Sequence, residues 1–138
     1  MNSCVIYVDG SYNTKTEKGG YGLVITSGDR VLYEEHKELV GDGLSMRNVY
    51  GEIVGACRAV ELSHMYNVKE IVLAYDYEGV EKWASGAWKR KNEYTKKYHE
   101  FMQVAQKHIK IEFMKIKSHS GDRFNDMADK LAKRGAGF

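Results

Sequence analysis

Three β-rich runs with only short spacers between them occupy the first 40 residues, and this feature limits the possible folds most strongly. The runs cover residues 3–9, 20–26 and 30–40, and Gly, Ser and Asp residues interrupt them. Only Ser27, Gly28 and Asp29 separate the second run from the third, which leaves room for a compact hairpin turn. Spacers this short predict an antiparallel meander.

The rest of the chain alternates between helix and strand patterns. Residues 46–66 carry apolar side chains three or four positions apart, as a helix does. Residues 69–75 form a short apolar run, which we expect to return to the sheet as a parallel strand beside the first. Four elements follow: a short helix through Trp83, a helix over 93–107, an alternating strand over 109–117 and a helix over 123–134. This order predicts a single α/β domain over residues 1–138, with helices on the faces of a mixed sheet.

Composition restricts the setting in which the protein works. A chain of 138 residues that is 43% apolar can bury one substantial core. No segment approaches the roughly 18 consecutive apolar residues of a membrane span, and the first residues lack a secretory signal pattern. Cys4 and Cys57 stand in apolar patterns, which favours reduced core thiols. We therefore expect a cytoplasmic monomer with no membrane partner.

One stretch of the chain is strongly basic although the net charge is only +2. Residues 82–110 hold eight basic side chains against two acidic ones. Four aromatic residues are interleaved with these charges: Trp83, Trp88, Tyr94 and Tyr98. A basic surface with aromatic rings is typical of nucleic-acid binding. A solvated Lys-rich helix face, with the rings anchoring the helix to the core, is the alternative.

Two acids stand at the ends of apolar strand patterns. Asp9 closes the first run, and Asp76 follows the apolar residues of 69–75. If these strands are parallel neighbours, the two carboxylates lie side by side at the edge where open α/β sheets bind ligands. Two close carboxylates repel each other, and a divalent cation removes that repulsion. Taken singly, each Asp is better explained as the cap of the turn or helix that follows it.

Two helical acids extend this set. Glu52 lies on the long predicted helix, where the small residues Gly55 and Ala56 allow a close approach to the sheet, so its carboxylate should point at the strand ends. Asp129 borders the apolar face of the last helix. Asp126, near the start of that helix, is better explained as an acid that complements the helix dipole.

The segments around these acids, YVDGSY, NVYGEI, LAYDYEGV and HSGDRFNDMADKLA, resemble the type 1 ribonuclease H family over almost the entire chain. The GGYG segment, taken as a turn, agrees, and YDYEGVEKWASGAW is similar to Gram-positive bacterial members. The resemblance implies a ribonuclease H-like fold with a five-stranded mixed sheet in the order 3-2-1-4-5 and helices on both faces. It further implies an endonuclease that cuts the RNA strand of RNA–DNA hybrids and leaves 3′-OH and 5′-phosphate ends. We expect the N-terminal hybrid-binding domain of many such members to be absent.

Phosphodiester hydrolysis requires neutralisation of phosphate charge, an activated water and stabilisation of the departing oxygen, and two Mg²⁺ ions meet these needs. Hard cations of this kind prefer carboxylate oxygens, and Mn²⁺ is an expected substitute. The resemblance implies that Asp9 bridges both ions, that Glu52 and Asp76 hold the ion that activates water, and that Asp129 holds the other. Glu52 would also accept a hydrogen bond from the ribose 2′-OH. His119, in the loop before the last helix, would transfer protons or help product leave.

The family pattern also implies contacts with the hybrid. The expected nucleic-acid-binding residues are Gly10, Ser11, Asn13, Arg47, Asn48, Trp88, Lys89, Arg90 and Lys91. Val49 departs from the polar amide of many members, which weakens base-edge reading there. The basic stretch is shorter than the basic protrusion of some members, so we expect hybrid binding that is weaker and more sensitive to salt.

Two other functions compete with this interpretation. A junction resolvase or integrase on the same scaffold would not be expected to match the His119 loop together with the Asp129 helix. A hybrid-binding module without activity predicts that at least one of the four acids is missing, and all four are present.

Overall fold

A five-stranded mixed sheet forms the centre of the protein, in a computed structural model that describes residues 3–117 and 121–138. The strands are β1 (Ser3–Asn13), β2 (Lys18–Ser27), β3 (Arg30–Leu39), β4 (Glu70–Tyr75) and β5 (Lys110–Lys115). The α-helices in these two ranges are α1 (Asn48–Met65), α2 (Gly79–Ser85), α3 (Glu93–Ala105) and α4 (Arg123–Gly135), and a short 3₁₀ helix covers Asp42–Met46.

The strand order is β3-β2-β1-β4-β5. The first three strands pair antiparallel, whereas β4 pairs parallel with both β1 and β5. Gly28 adopts a φ of 59° in the turn between β2 and β3, as the hairpin requires. The predicted meander, the parallel return of the fourth strand and the order 3-2-1-4-5 are therefore confirmed.

The sheet carries a hydrophobic cluster on each face. Alternate residues of β1, such as Ile6 and Val8, pack in the larger cluster with α1, α2 and α3. Tyr7, between them, packs with Ala128 and Leu131 of α4 on the other face. This alternation follows from the period of two along a strand, and it confirms the expected helices on both faces.

The first strand differs from its prediction. We expected it to end at Asp9, but β1 continues to Asn13 because its antiparallel pairing with β2 runs on from Gly10↔Tyr21 to Asn13↔Lys18. The GGYG segment is consequently not a turn, since residues 19–22 lie inside β2. One of its glycines has a packing role: a Cβ on Gly22 would lie 2.5 Å from the carbonyl oxygen of Ala128, so glycine allows α4 to rest directly on the sheet.

The other predicted elements agree with the structure to within a few residues. The helix predicted over 93–107 ends earlier, at Ala105, and its residues Tyr98 and Met102 are buried. Ile111 and Phe113 give β5 its half-buried face. Both cysteines are free thiols, as predicted. Within the described ranges, no helix has the length and hydropathy needed to cross a membrane.

Candidate active site

Strand register brings Asp9 and Asp76 to the same edge of the sheet. The parallel pairing of β1 with β4 runs from Ser3↔Glu70 to Tyr7↔Ala74. If this register is continued, Asp9 stands opposite Asp76, the first residue after β4. Asp9 therefore lies inside β1, at the point where that strand leaves β4, and the predicted juxtaposition of the two acids holds although the predicted strand end was wrong.

Glu52 reaches the same edge because α1 lies very close to β1. A Cβ on Gly10 would clash with the carbonyl oxygen of Asn48 and would lie 2.6 Å from the backbone nitrogen of Glu52. A Cβ on Gly51 would clash with the carbonyl oxygen of Gly20. We expected Gly55 to permit this approach, but a Cβ there would make only an ordinary contact of 3.4 Å. The close approach occurs at the start of the helix, which is what directs Glu52 at the strand ends.

Asp9, Glu52 and Asp76 form a compact acidic cluster. One carboxylate oxygen from each lies within 4.8 Å of the others. Asp9 is 4% exposed and Glu52 is 2% exposed. The backbone N–H of Gly10 donates to Asp9 Oδ1 at 2.9 Å and to Glu52 Oε1 at 3.1 Å. A single backbone donor thus serves two buried carboxyl groups, which is little compensation for their charge.

Burial and mutual repulsion raise the pKa values of this cluster. Burial raises the pKa of Asp9 to about 7, and the charges of Asp76 and Asp129 act in the same direction, while hydrogen bonds with Glu52 and Gly10 oppose it. Burial also holds the pKa of Glu52 well above its ordinary range, and the charge of Asp9 adds to this effect. At neutral pH the cluster therefore favours a bound proton or a bound cation over full ionisation.

Glu52 leaves one oxygen uncompensated. Its Oε2 is buried and has no hydrogen-bond partner among residues 3–117 and 121–138. A buried oxygen of this kind normally finds a donor. The cluster offers only carboxylate oxygens, which are the ligands that Mg²⁺ and Mn²⁺ prefer. The residues present therefore fit a hard divalent cation.

Asp129 lies across the same cavity but outside the three-acid cluster. The cavity has a volume of about 180 Å³, and its lining includes all four predicted acids together with Asn48, Asn125 and Asp126. Asp129 Oδ2 lies 3.1 Å from Lys133 Nζ, one turn further along α4. The structure thus brings three of the predicted acids close together and places the fourth in the lining of the same cavity, paired with a lysine.

The start of α4 is set by Asp122. Its side chain accepts hydrogen bonds from the backbone N–H groups of Phe124 and Asn125, at 3.1 and 2.9 Å. This cap fixes the start of the helix, whose first turn carries Asp126 and whose second turn carries Asp129. The predicted proton-transfer residue His119 lies outside the described residues.

Five predicted hybrid contacts lie on β1 or at the start of α1, and only two of them line the acidic cavity. Gly10 and Asn48 line the acidic cavity. Arg47 is exposed at the start of α1, with φ 56° and ψ −132°, and its guanidinium lies 5.6 Å from the centre of the Tyr12 ring. Asn13 is buried, and its Oδ1 accepts from the backbone of Lys15 at 3.1 Å, so this oxygen helps to close the turn after β1. Ser11 is half-buried in β1.

The basic segment after α2 is connected to the acids through aromatic rings. Trp88 packs edge-on against Tyr77 and Trp83, with ring centres 6.1 and 5.5 Å apart, and Tyr77 directly follows Asp76. A cavity of about 510 Å³ beside these aromatic rings is lined by Trp88, Lys89 and Lys91, among others. Arg90 instead donates to the carbonyl oxygens of Gly86 and Trp88, so its guanidinium holds the segment in shape.

The two tyrosines of the basic stretch anchor their helix to the core. The hydroxyl of Tyr98 donates to the carbonyl oxygen of Val80 at 2.7 Å, and Tyr94 packs edge-on against Tyr50. For these two rings the anchoring interpretation was right. Trp83 and Trp88 are only partly buried.

Asn125 is the cavity residue that sequence reasoning missed. It is 3% exposed, and its Oδ1 is buried without a hydrogen-bond partner in the described part of the chain. Its spacing of four residues from Asp129 places both on one face of α4, which is the signal that could have identified it.

Comparison with known proteins agrees with this geometry. The sequence model of the RNase H family matches residues 1–137. The ribonuclease H of Moorella thermoacetica is 30% identical, and the alignment covers 96% of this chain and 91% of that protein. The RNase H1 of Halobacterium salinarum has the same fold, with a TM-score of 0.80 at 20% identity over 96% of each chain. LC11-RNase H1, isolated from compost by a metagenomic approach and solved with an RNA/DNA hybrid, gives a TM-score of 0.75 at 19% identity, over 95% of this chain and 97% of that one. The protein therefore belongs to the RNase H family of nucleases.

Proposed function

We propose that the protein is an endonuclease that hydrolyses the RNA strand of RNA–DNA hybrids at the acidic cavity, with Mg²⁺ as its cofactor and Mn²⁺ as a substitute. The observation that carries this proposal is the cluster of Asp9, Glu52 and Asp76, whose carboxylate oxygens lie within 4.8 Å of one another. A structural role would pair these charges with donors. Glu52 Oε2 has no such donor within the described ranges, which supports a cation site.

The four acids divide between two cation positions in this proposal. When bound, two divalent cations supply neutralisation of phosphate charge, a water of lowered pKa and stabilisation of the departing 3′ oxygen. Asp9 would help to hold both cations, Glu52 and Asp76 would hold the one that supplies the activated water, and Asp129 would hold the other. The ion pair with Lys133, one turn further along α4, orients the Asp129 carboxylate. We propose that cleavage leaves 3′-OH and 5′-phosphate ends. His119 transfers protons or helps product leave.

Selection of RNA depends on the groups beside the acids. In this proposal the Glu52 carboxylate accepts a hydrogen bond from a ribose 2′-OH next to the cut site. Gly10 and Asn48 line the same cavity, and no side chain in the described residues caps the first turn of α1, which suits this helix end to phosphate. Arg47 is exposed at this helix end. The hybrid bound by LC11-RNase H1 supports the same substrate here.

The partner strand of the hybrid is proposed to lie over the basic segment. Trp88, Lys89 and Lys91 offer an aromatic surface and exposed charges beside Tyr77. Arg90 contributes mainly by holding the segment through its bonds to Gly86 and Trp88. Ser11 and Asn13, on β1, remain proposed contacts at the other side of the acids. We further propose that the protein works as a monomer in the cytoplasm.

A cleavage assay with matched variants tests this function. End-labelled RNA–DNA hybrid, RNA duplex and DNA duplex are incubated with the protein in EDTA, Mg²⁺ or Mn²⁺, and the ends of the products are identified. We expect only the RNA of the hybrid to be cut, only with a cation, and not by Asp9→Asn. Asp29→Asn, in the turn between β2 and β3, is the matched control and should cut as the parent does. Cleavage of duplex DNA, or equal rates for Asp9→Asn and the parent, would contradict the proposal.

A further inference from the structure

Two buried side-chain oxygens lack a hydrogen-bond partner in the described part of the chain, and both belong to residues of the acidic cavity. They are Glu52 Oε2 and Asn125 Oδ1. Glu52 is one of the four acids already assigned to the site, whereas Asn125 has no role in that assignment. Both residues line the cavity of about 180 Å³. Their coincidence in one cavity suggests a common cause.

An amide oxygen is an unexpected neighbour for carboxylates. It is an acceptor that carries partial negative charge, so it needs a donor or a positive charge as the carboxylate oxygens do. Neither is supplied to Asn125 Oδ1 or to Glu52 Oε2 by the described residues. A hydrated cation relieves both, because its positive charge attracts the oxygen and its bound waters are strong donors.

Asn125 is also held firmly in place. Its backbone N–H donates to the Asp122 side chain at 2.9 Å, within the cap of α4. The preceding residue, Phe124, packs on Tyr7 of β1 with ring centres 5.4 Å apart. The side chain is 3% exposed and lies one turn before Asp129 on the same face of the helix. The backbone that carries this amide is therefore held in place, one turn before the fourth acid.

We propose that Asn125 is a positioning residue for the cation on the Asp129 side of the cavity, where its amide oxygen accepts a hydrogen bond from a water bound to that cation. This inference deepens the proposed function and rests on its assignment of the cavity as a cation site. It assigns to Asn125 the task of orienting the hydration shell, while the carboxylates supply the charge.

Direct cation binding tests the assignment without use of catalytic activity. Mn²⁺ affinity is measured by titration calorimetry, and the melting temperature is measured with and without Mg²⁺, for the parent, Asn125→Ala and Asn125→Asp. Loss of the amide oxygen should weaken Mn²⁺ binding by about tenfold and reduce the rise of the melting temperature with Mg²⁺. A carboxylate at this position should bind Mn²⁺ several times more tightly and lower the melting temperature in EDTA through repulsion.

Asn92→Ala is the matched control. Asn92 caps α3 through a hydrogen bond from the backbone of Thr95 at 2.9 Å, away from the cavity. This variant should lower the melting temperature by the same amount with and without Mg²⁺ and should leave Mn²⁺ affinity unchanged. In EDTA, Asn125→Ala should cost less stability than Asn92→Ala, because the oxygen that it removes has no partner to lose.

The outcomes separate this inference from the proposed function. If the parent binds Mn²⁺ and cuts hybrid while Asn125→Ala binds Mn²⁺ equally well, the role of Asn125 is overturned and the proposed function stands. If Asn125→Ala does not fold, Asn125→Asp decides, and Mn²⁺ binding no tighter than that of the parent overturns the role. If the parent binds no divalent cation, both proposals fail.

Discussion

Asp9→Asn should stabilise the protein in the absence of cations, and the effect should grow with pH. Burial and the neighbouring acids raise the pKa of Asp9 from 3.8 to about 7. Below about pH 4 this carboxyl is protonated in both the folded and the unfolded chain, so it has no effect on folding. Between about pH 4 and pH 7 the unfolded chain has lost this proton while the folded protein still holds it, so stability falls across that range and levels off above it. One pKa unit is worth about 1.4 kcal/mol, so the full loss is about 4 kcal/mol.

Asparagine removes this loss without disturbing the local structure. Its Oδ1 can still accept the hydrogen bond that Gly10 donates to Asp9 at 2.9 Å. In EDTA at pH 8 the variant should melt roughly 10 °C above the parent, and at pH 4 the two should melt within a few degrees of each other. With saturating Mg²⁺ the gap should close, because the cation stabilises the parent more strongly.

Thermal denaturation followed by circular dichroism from pH 4 to 9 measures this effect, with Asp29→Asn as the control whose melting temperature should follow that of the parent at every pH. Asp9→Asn could be less stable than the parent in EDTA at pH 8, or its stability could fall with pH as steeply as that of the parent. Either result would show that the repulsion inferred for the cluster does not exist.

Three further predictions concern packing, acid stability and substrate binding. Gly10→Ala should lower the free energy of unfolding by about 3 kcal/mol or more in urea titrations, because its Cβ would lie 2.6 Å from the Glu52 nitrogen, whereas Gly55→Ala, with an ordinary contact of 3.4 Å, should be neutral or slightly stabilising. Burial alone would raise the pKa of Glu35, but hydrogen bonds, foremost from Arg58, lower it to about 2. Glu35→Gln should therefore cost about 1–2 kcal/mol above pH 5 and little near pH 2, where the parent carboxyl is protonated too. Lys89→Ala should weaken hybrid binding in fluorescence titrations and reduce the slope of log affinity against log salt by about one, while cleavage at saturating substrate should change little.

The sequence predicted the fold because its turn residues, its apolar runs and its order of elements all indicate the same topology. The short spacer at Gly28 permits only a hairpin, and the apolar run that ends at Tyr75 is too short for anything but a buried strand. Asp9 and Asp76 could be placed side by side from strand order alone, since parallel neighbours end at the same edge. The true end of β1 was not predictable in this way, because it depends on pairing with β2 beyond Asp9.

The features that sequence reasoning missed are set by tertiary contacts. The close approach of α1 depends on Gly10 and Gly51, which belong to different elements, so the spacing within the helix pointed to Gly55 instead. Asn125 carries no charge, and its significance arises from burial beside the acids, which is a property of the packed structure. The pairing of Asp129 with Lys133 follows the i, i+4 rule, but only the fold shows that it lies on the wall of the cavity.

Proton release on cation binding tests the central claim most directly. Burial holds the pKa of Glu52 well above its ordinary range and raises that of Asp9 to about 7, so near pH 7 the cluster should exchange bound protons for Mg²⁺. Titration calorimetry of the intact protein in buffers of different ionisation enthalpy counts the protons released. We predict that Mg²⁺ binds with release of protons at pH 6.5 and with release of fewer protons at pH 9, above the pKa of Asp9. Absence of Mg²⁺ binding by the folded protein, or binding with no proton release at either pH, would contradict the account.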